Sequence, residues 1–140
     1  MSWDLTAFDL PEDVVSLRTL AADFKLKSLG NRNEWIERVQ RIVPGMQLQA
    51  TGSIIFGYYA TDDFRVQIGF GHDETIDSIA FHVYGGSEGI KFAVEVTKAL
   101  NLAPFDMQTC ERFSAAGSAE SFRQWQQAVD RYKEQEETKD

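Results

Sequence analysis

Apolar and polar residues alternate at the start of the chain. Trp3, Leu5 and Ala7 fall on one side of an extended segment, with Asp4, Thr6 and Phe8 on the other, a period of two that predicts a strand over Trp3–Leu10. Pro11 ends it. Pro11-Glu12-Asp13 can open a short helical turn reaching Leu17, because proline is tolerated at the first helical position. Thr19 to Gly30 has no clean period and reads as a connection. From Asn31 the period lengthens: Trp35, Ile36, Val39, Ile42 and Val43 recur at helical spacing until Pro44-Gly45 stops them. Asn31 has the side chain of an N-cap, and Glu34, three residues on, echoes a capping box.

The middle of the chain returns to a period of two. Ser53 to Ala60 is rich in Ile, Phe and Tyr. Phe64, Val66, Ile68 and Phe70 alternate with Arg65, Gln67 and Gly69, and Ile79, Phe81 and Val83 alternate with Ala80, His82 and Tyr84. Thr61-Asp62-Asp63 and Gly71-His72-Asp73-Glu74 carry the turn residues between them, so three strands follow one another as an antiparallel meander. Gly85-Gly86 breaks the last of them. Ser87 is positioned to cap a helix to about Leu100 that buries Ile90, Ala93, Val94, Thr97 and Leu100. After Pro104, Phe105–Cys110 can add a last strand. A final helix from Ser118 or Ala119 carries the stripe Phe122, Trp125, Val129 and Tyr132, and the polar residues from Glu134 onward read as a frayed tail. The expectation is an α+β fold: a single domain over residues 1–133 with a tail at 134–140. Its order is β-α-β-β-β-α-β-α, an antiparallel β-meander sheet with helices packed on one face.

Composition adds limits. At 140 residues with 43% hydrophobic content and ten phenylalanines, the chain can bury roughly two-thirds of its unfolded surface in one core. Its one cysteine, Cys110, allows no intrachain disulfide. That suits a reducing compartment. Met1-Ser2-Trp3-Asp4 lacks the positive and apolar regions of a signal peptide, and no apolar run approaches the roughly 20 residues of a membrane span. The expected location is the cytoplasm, with no membrane partner. Net charge is −8, from 22 acidic and 14 basic residues. That balance disfavours nucleic acid, whose phosphates need Lys/Arg clusters, and would steer a basic partner toward the chain. Acidity also serves solubility alone.

No pattern carries diagnostic chemistry. His72, beside Asp73 and Glu74, lacks the spaced carboxylates and glycine of a calcium loop and the His/Cys set of a zinc site. His82 can do acid–base work only if a cleft forms against its strand face; the plainer reading is a half-exposed residue with one hydrogen bond. Cys110 matches no catalytic-cysteine signature and reads as a small buried hydrophobe. Gly85-Gly86-Ser87-Glu88-Gly89 runs from strand into helix but lacks a P-loop lysine, and Glu88 would repel an anion there. We therefore expect no catalytic residue, no metal and no cofactor, and a protein that is not an enzyme.

The aromatic residues divide by face. Trp3, Trp35 and Trp125 lie on apolar stripes and are expected in the core. Tyrosine suits an interface with one dry and one wet side. Tyr58, Tyr59, Arg65, Gln67, His82 and Tyr84 are thus the candidate binding residues, together forming one outer sheet surface.

Ser2-Trp3-Asp4, Gly30-Asn31-Arg32, His82-Val83-Tyr84-Gly85-Gly86 and the Trp125-bearing last helix resemble a family of small bacterial cytoplasmic proteins whose motifs carry no known chemistry. In general type the chain is also similar to bacterial immunity proteins, which neutralise toxins. These resemblances imply a protein-binding module, of toxin-neutralising or regulatory kind, that meets another protein such as a basic toxin domain through an acidic, aromatic surface. The alternative is a small-molecule binder or minor enzyme with a pocket near His82, between meander and helices. A third reading is self-association through the strand face or the final helix.

Overall fold

The computed structural model describes residues 2–113. Its strands are β1 (Trp3–Phe8), β2 (Gly30–Asn31), β3 (Gln47–Thr51), β4 (Ile54–Ala60), β5 (Phe64–Gly69), β6 (Thr75–Ile76), β7 (Ser78–Gly85), β8 (Ala103–Asp106) and β9 (Glu111–Arg112). The helices are α1 (Arg32–Ile42) and α2 (Ser87–Ala99). Seven strands form one sheet in the order β3-β4-β5-β7-β1-β8-β9, antiparallel at every pairing. β2 and β6 pair separately and tie the start of α1 to the turn before β7. The meander is thus β4, β5 and β7, as its alternation predicts, and β1 lies between β7 and β8.

The register assigns the faces. Tyr59, Val66, Val83 and Trp3 stand opposite one another in turn across β4, β5, β7 and β1. With Leu5, Ile68, Ile79 and Phe81 they make an inner face whose members, Tyr59 apart, are buried. α1 covers it with Trp35, Ile36 and Val39, and α2 with Ile90, Ala93 and Val96. Each large apolar side chain removed from water there contributes about 1.5–3 kcal/mol, and both described helices lie on this one side. Asn31 caps α1 as expected: its side-chain oxygen accepts from the N–H groups of Asn33 and Glu34 at 2.8 and 3.4 Å. Trp35 donates its indole N–H to the Leu29 carbonyl.

At the β7–α2 junction, glycine is required. Gly85 has φ +116°, and a Cβ there would lie 2.7 Å from the Asp63 carbonyl oxygen. The chain turns tightly into α2 at this point. The N-cap is Gly86, with no side-chain cap, and Ser87 is already helical; the expected serine cap is displaced by one residue because the glycine pair itself makes the turn.

One strand is added that the expected order did not contain, and two further expectations are corrected. Gln47–Thr51 is a strand, although its residues carry little strand propensity; pairing with β4 imposes the conformation. The strand near the end runs over Ala103–Asp106 and includes Pro104, while Met107–Cys110 is a turn in which Cys110 has φ +61°. The short helix after Pro11 is instead a single 3-10 turn at Leu17–Thr19, capped by Ser16. The expected final helix, with Phe122, Trp125, Val129 and Tyr132, and the tail at 134–140 lie outside the described residues.

Candidate functional site

Opposite the helices lies a second sheet face. Tyr58, Gln67, His82 and Asp4 oppose one another in sequence across β4, β5, β7 and β1, and Arg65 opposes Tyr84 in the neighbouring row. Five of the six candidate residues therefore share this outer face. Arg65 is exposed and Tyr58, Gln67, His82 and Tyr84 are half-buried. Tyr59 does not join them. Successive strand residues point to opposite sides, and Tyr59 stacks under α2 on Phe92 (centroids 4.9 Å apart, 13° between planes) beside Phe64.

The face has one polar centre. The Nδ1 of His82 lies 2.7 Å from Oδ1 of Asp4, its direct cross-strand partner, and the Ser2 hydroxyl donates to the same oxygen at 3.2 Å. An ionised carboxylate only accepts, so Nδ1 carries the proton and Nε2 is the ring's second polar site. The side chains of His82 and Asp4 are 42% and 43% exposed, so water screens the pair. Beside it the Arg65 guanidinium sits 5.2 Å from the Tyr84 ring centroid, a cation–π contact that holds both side chains against the sheet. Asp4 is the member that sequence reasoning missed. Its place on the polar side of β1 was legible, but the β1–β7 pairing that brings it to His82 was not.

This arrangement orients an imidazole through its Asp4 partner. On the face, His82 neighbours Asp4 and Gln67 across the strands and Ala80 and Tyr84 along its own strand; the Ser2 hydroxyl that shares this centre donates to Asp4, whereas a nucleophile would donate to the base that activates it. Among the described residues no three His, Cys, Asp or Glu side chains gather as around a metal ion. His72 is exposed and pairs loosely with Asp73, 3.5 Å away. Cys110 is a half-buried free thiol, and its carbonyl accepts from the Leu17 N–H.

Farther along the outer face is a cavity of about 480 Å³, lined among others by Gly69, His72, Asp73, Asp77, Ser78 and Ala80. It lies opposite the helices, not between helices and meander, and His82 is not in its wall. Toward β8 the same face is closed: Phe8 and Phe105 meet edge to face at 5.7 Å, under Leu10, Val14, Leu17 and Leu26. Asp106, 1% exposed, sits at the inner edge. Burial raises its carboxyl above the ordinary range, against hydrogen bonds from Gln108 and Thr109 that lower it.

No protein-family model, curated protein or solved structure matches this chain. No helix among the described residues is long and apolar enough to cross a membrane.

Proposed function

We propose that this chain is a protein-binding module, of toxin-neutralising or regulatory kind, that receives its partner on the outer sheet face. The observation that supports this reading is the gathering of Tyr58, Arg65, Gln67, His82 and Tyr84 on one side of a sheet whose other side is covered by α1 and α2 over β5, β7 and β1. Tyrosine and arginine dominate binding energy at interfaces, and a sheet holds them with little conformational freedom left to lose. Exposed acids flank the face at both strand ends: Asp62 and Asp63 at one, Asp73, Glu74 and Asp77 at the other. With a net charge of −8 they favour a basic partner, such as a toxin domain, over nucleic acid. The cytoplasm is the compartment consistent with a single unpaired cysteine.

Affinity capture from source-cell lysate tests the reading. A stoichiometric basic protein, retained at moderate salt and released at high salt, is the expected result. Its persistence at high salt would remove the electrostatic part, and the absence of any partner would remove the reading. The cavity of about 480 Å³ favours a small-molecule reading moved away from His82, which a partnerless protein stabilised by a metabolite in a thermal-shift screen would establish.

A further inference from the structure

The two edges of the main sheet are treated differently by the fold. At β9 the chain closes its own edge: Arg112 N–H donates to the Val15 carbonyl and Leu17 N–H to the Cys110 carbonyl, both at 2.8 Å, and Ser16 bridges Glu111. At β3, among the described residues, no strand pairs on the outside. All five β3 residues are exposed, and the strand has none of the usual protections: no lysine, no proline and no bulge. From Pro44 to Thr61, the whole β3–β4 hairpin, no residue carries a charge. The chain as a whole is 26% charged.

The ladder shows which groups this edge offers. Ile55 exchanges hydrogen bonds toward β5, donating to the Gly71 carbonyl and accepting from the Phe70 N–H. Its opposite number on β3, Ala50, is therefore a non-hydrogen-bonded partner, and so by alternation is Leu48 opposite Gly57. Leu48 and Ala50 point their N–H and C=O groups outward. We propose that this edge pairs with the same edge of a second copy, antiparallel about a two-fold axis at Gln49, to form one sheet continuous across both chains.

The register is self-complementary. Leu48 meets the partner's Ala50 and Ala50 the partner's Leu48, each pair exchanging two backbone hydrogen bonds. Gln49 faces its own copy on the outer side, where two amides can donate and accept reciprocally, and Gln47 faces the partner's Thr51. On the inner side Leu48, 42% exposed in the single chain, is covered. Charge selects the occupant. Two copies of a chain at −8 repel one another, and this uncharged hairpin is where they can meet without opposing like charges. Antiparallel pairing also sets both outer faces on the same side of the joint sheet. The edge pairing is the same whatever those faces bind.

Sedimentation velocity of the full chain between about 1 and 500 μM tests it, a range suited to a small interface. The expected result is reversible dimerisation, weakened at least about tenfold in Gln49→Lys, which opposes two charges at the axis. The far-ultraviolet circular dichroism of that variant should match wild type, because Gln49 is exposed. With Cys110→Ser as background, Gln49→Cys should cross-link into a dimer on mild oxidation and Gln47→Cys should not, because only position 49 meets itself. A monomer throughout the range overturns the proposal. So does a dimer indifferent to Gln49→Lys, cross-linking equal at both positions, or a β3 edge that pairs only with an added peptide.

Discussion

Replacing Gly89 with alanine inserts one methyl group where α2 crosses β7. The new Cβ would lie 2.7 Å from Cγ1 of Val83 and 3.0 Å from Cβ of Phe64, against an ordinary carbon–carbon separation of about 3.5–4.0 Å. Neither neighbour yields easily: Val83 is a β-branched residue fully buried on the inner face, and the Phe64 atom is next to the backbone. Overpacking of this kind costs about 1–3 kcal/mol. Alanine returns up to about 1 kcal/mol of helix propensity over glycine. The net expectation is a loss of about 1 kcal/mol, read as a fall of about 2–5 °C in melting temperature for a domain of this size. Adding Val83→Ala removes the opposing methyls, so the double variant should be more stable than the sum of the two single effects by at least about 0.5 kcal/mol. Urea denaturation of the four proteins measures this. A more stable Gly89→Ala, or strict additivity, would mean that α2 does not seat closely on β7, and the inner face would no longer be sealed.

Asn31→Ala should lose about 1 kcal/mol in chemical denaturation, because it leaves the Asn33 and Glu34 N–H groups without their cap; an unchanged midpoint contradicts the cap. Asp106 gives a pH signature. Its folded carboxyl is raised above the ordinary value of 3.8 by burial, so the folded state holds this proton more tightly than the unfolded chain does. The stability it contributes is fully present below the ordinary value and is lost as pH rises through the folded one. Wild type should therefore gain stability relative to Asp106→Asn as pH falls across that interval, and a constant difference in urea denaturation would refute this. On the outer face, Arg65→Ala should cost no more than about 1 kcal/mol, the worth of its exposed contact with Tyr84. A larger loss in thermal denaturation would make it a folding residue.

The period of two in the middle of the chain carried the meander, its turns and the division of its faces, because each alternation is a local property. Asn31 was legible for the same reason: a cap answers to backbone N–H groups two and three residues away. Tyr59 could have been placed correctly by that logic, since adjacent tyrosines in a strand cannot share a face. β3 was not legible, because Gln47–Thr51 is a strand by virtue of its neighbour β4 and its local preference is weak. The Asp4–His82 pair was not legible either. It depends on β1 returning beside β7 across most of the chain, and local periodicity does not determine strand order.

The outer face, not the helical side, is the proposed meeting place for a protein partner. A photo-crosslinking side chain at Gln67, in the middle of the outer face, and another at Glu95, exposed on α2, test it directly in source cells. A discrete cross-linked partner is expected from position 67 and none from position 95. A partner captured from position 95 alone, or from neither, would contradict it.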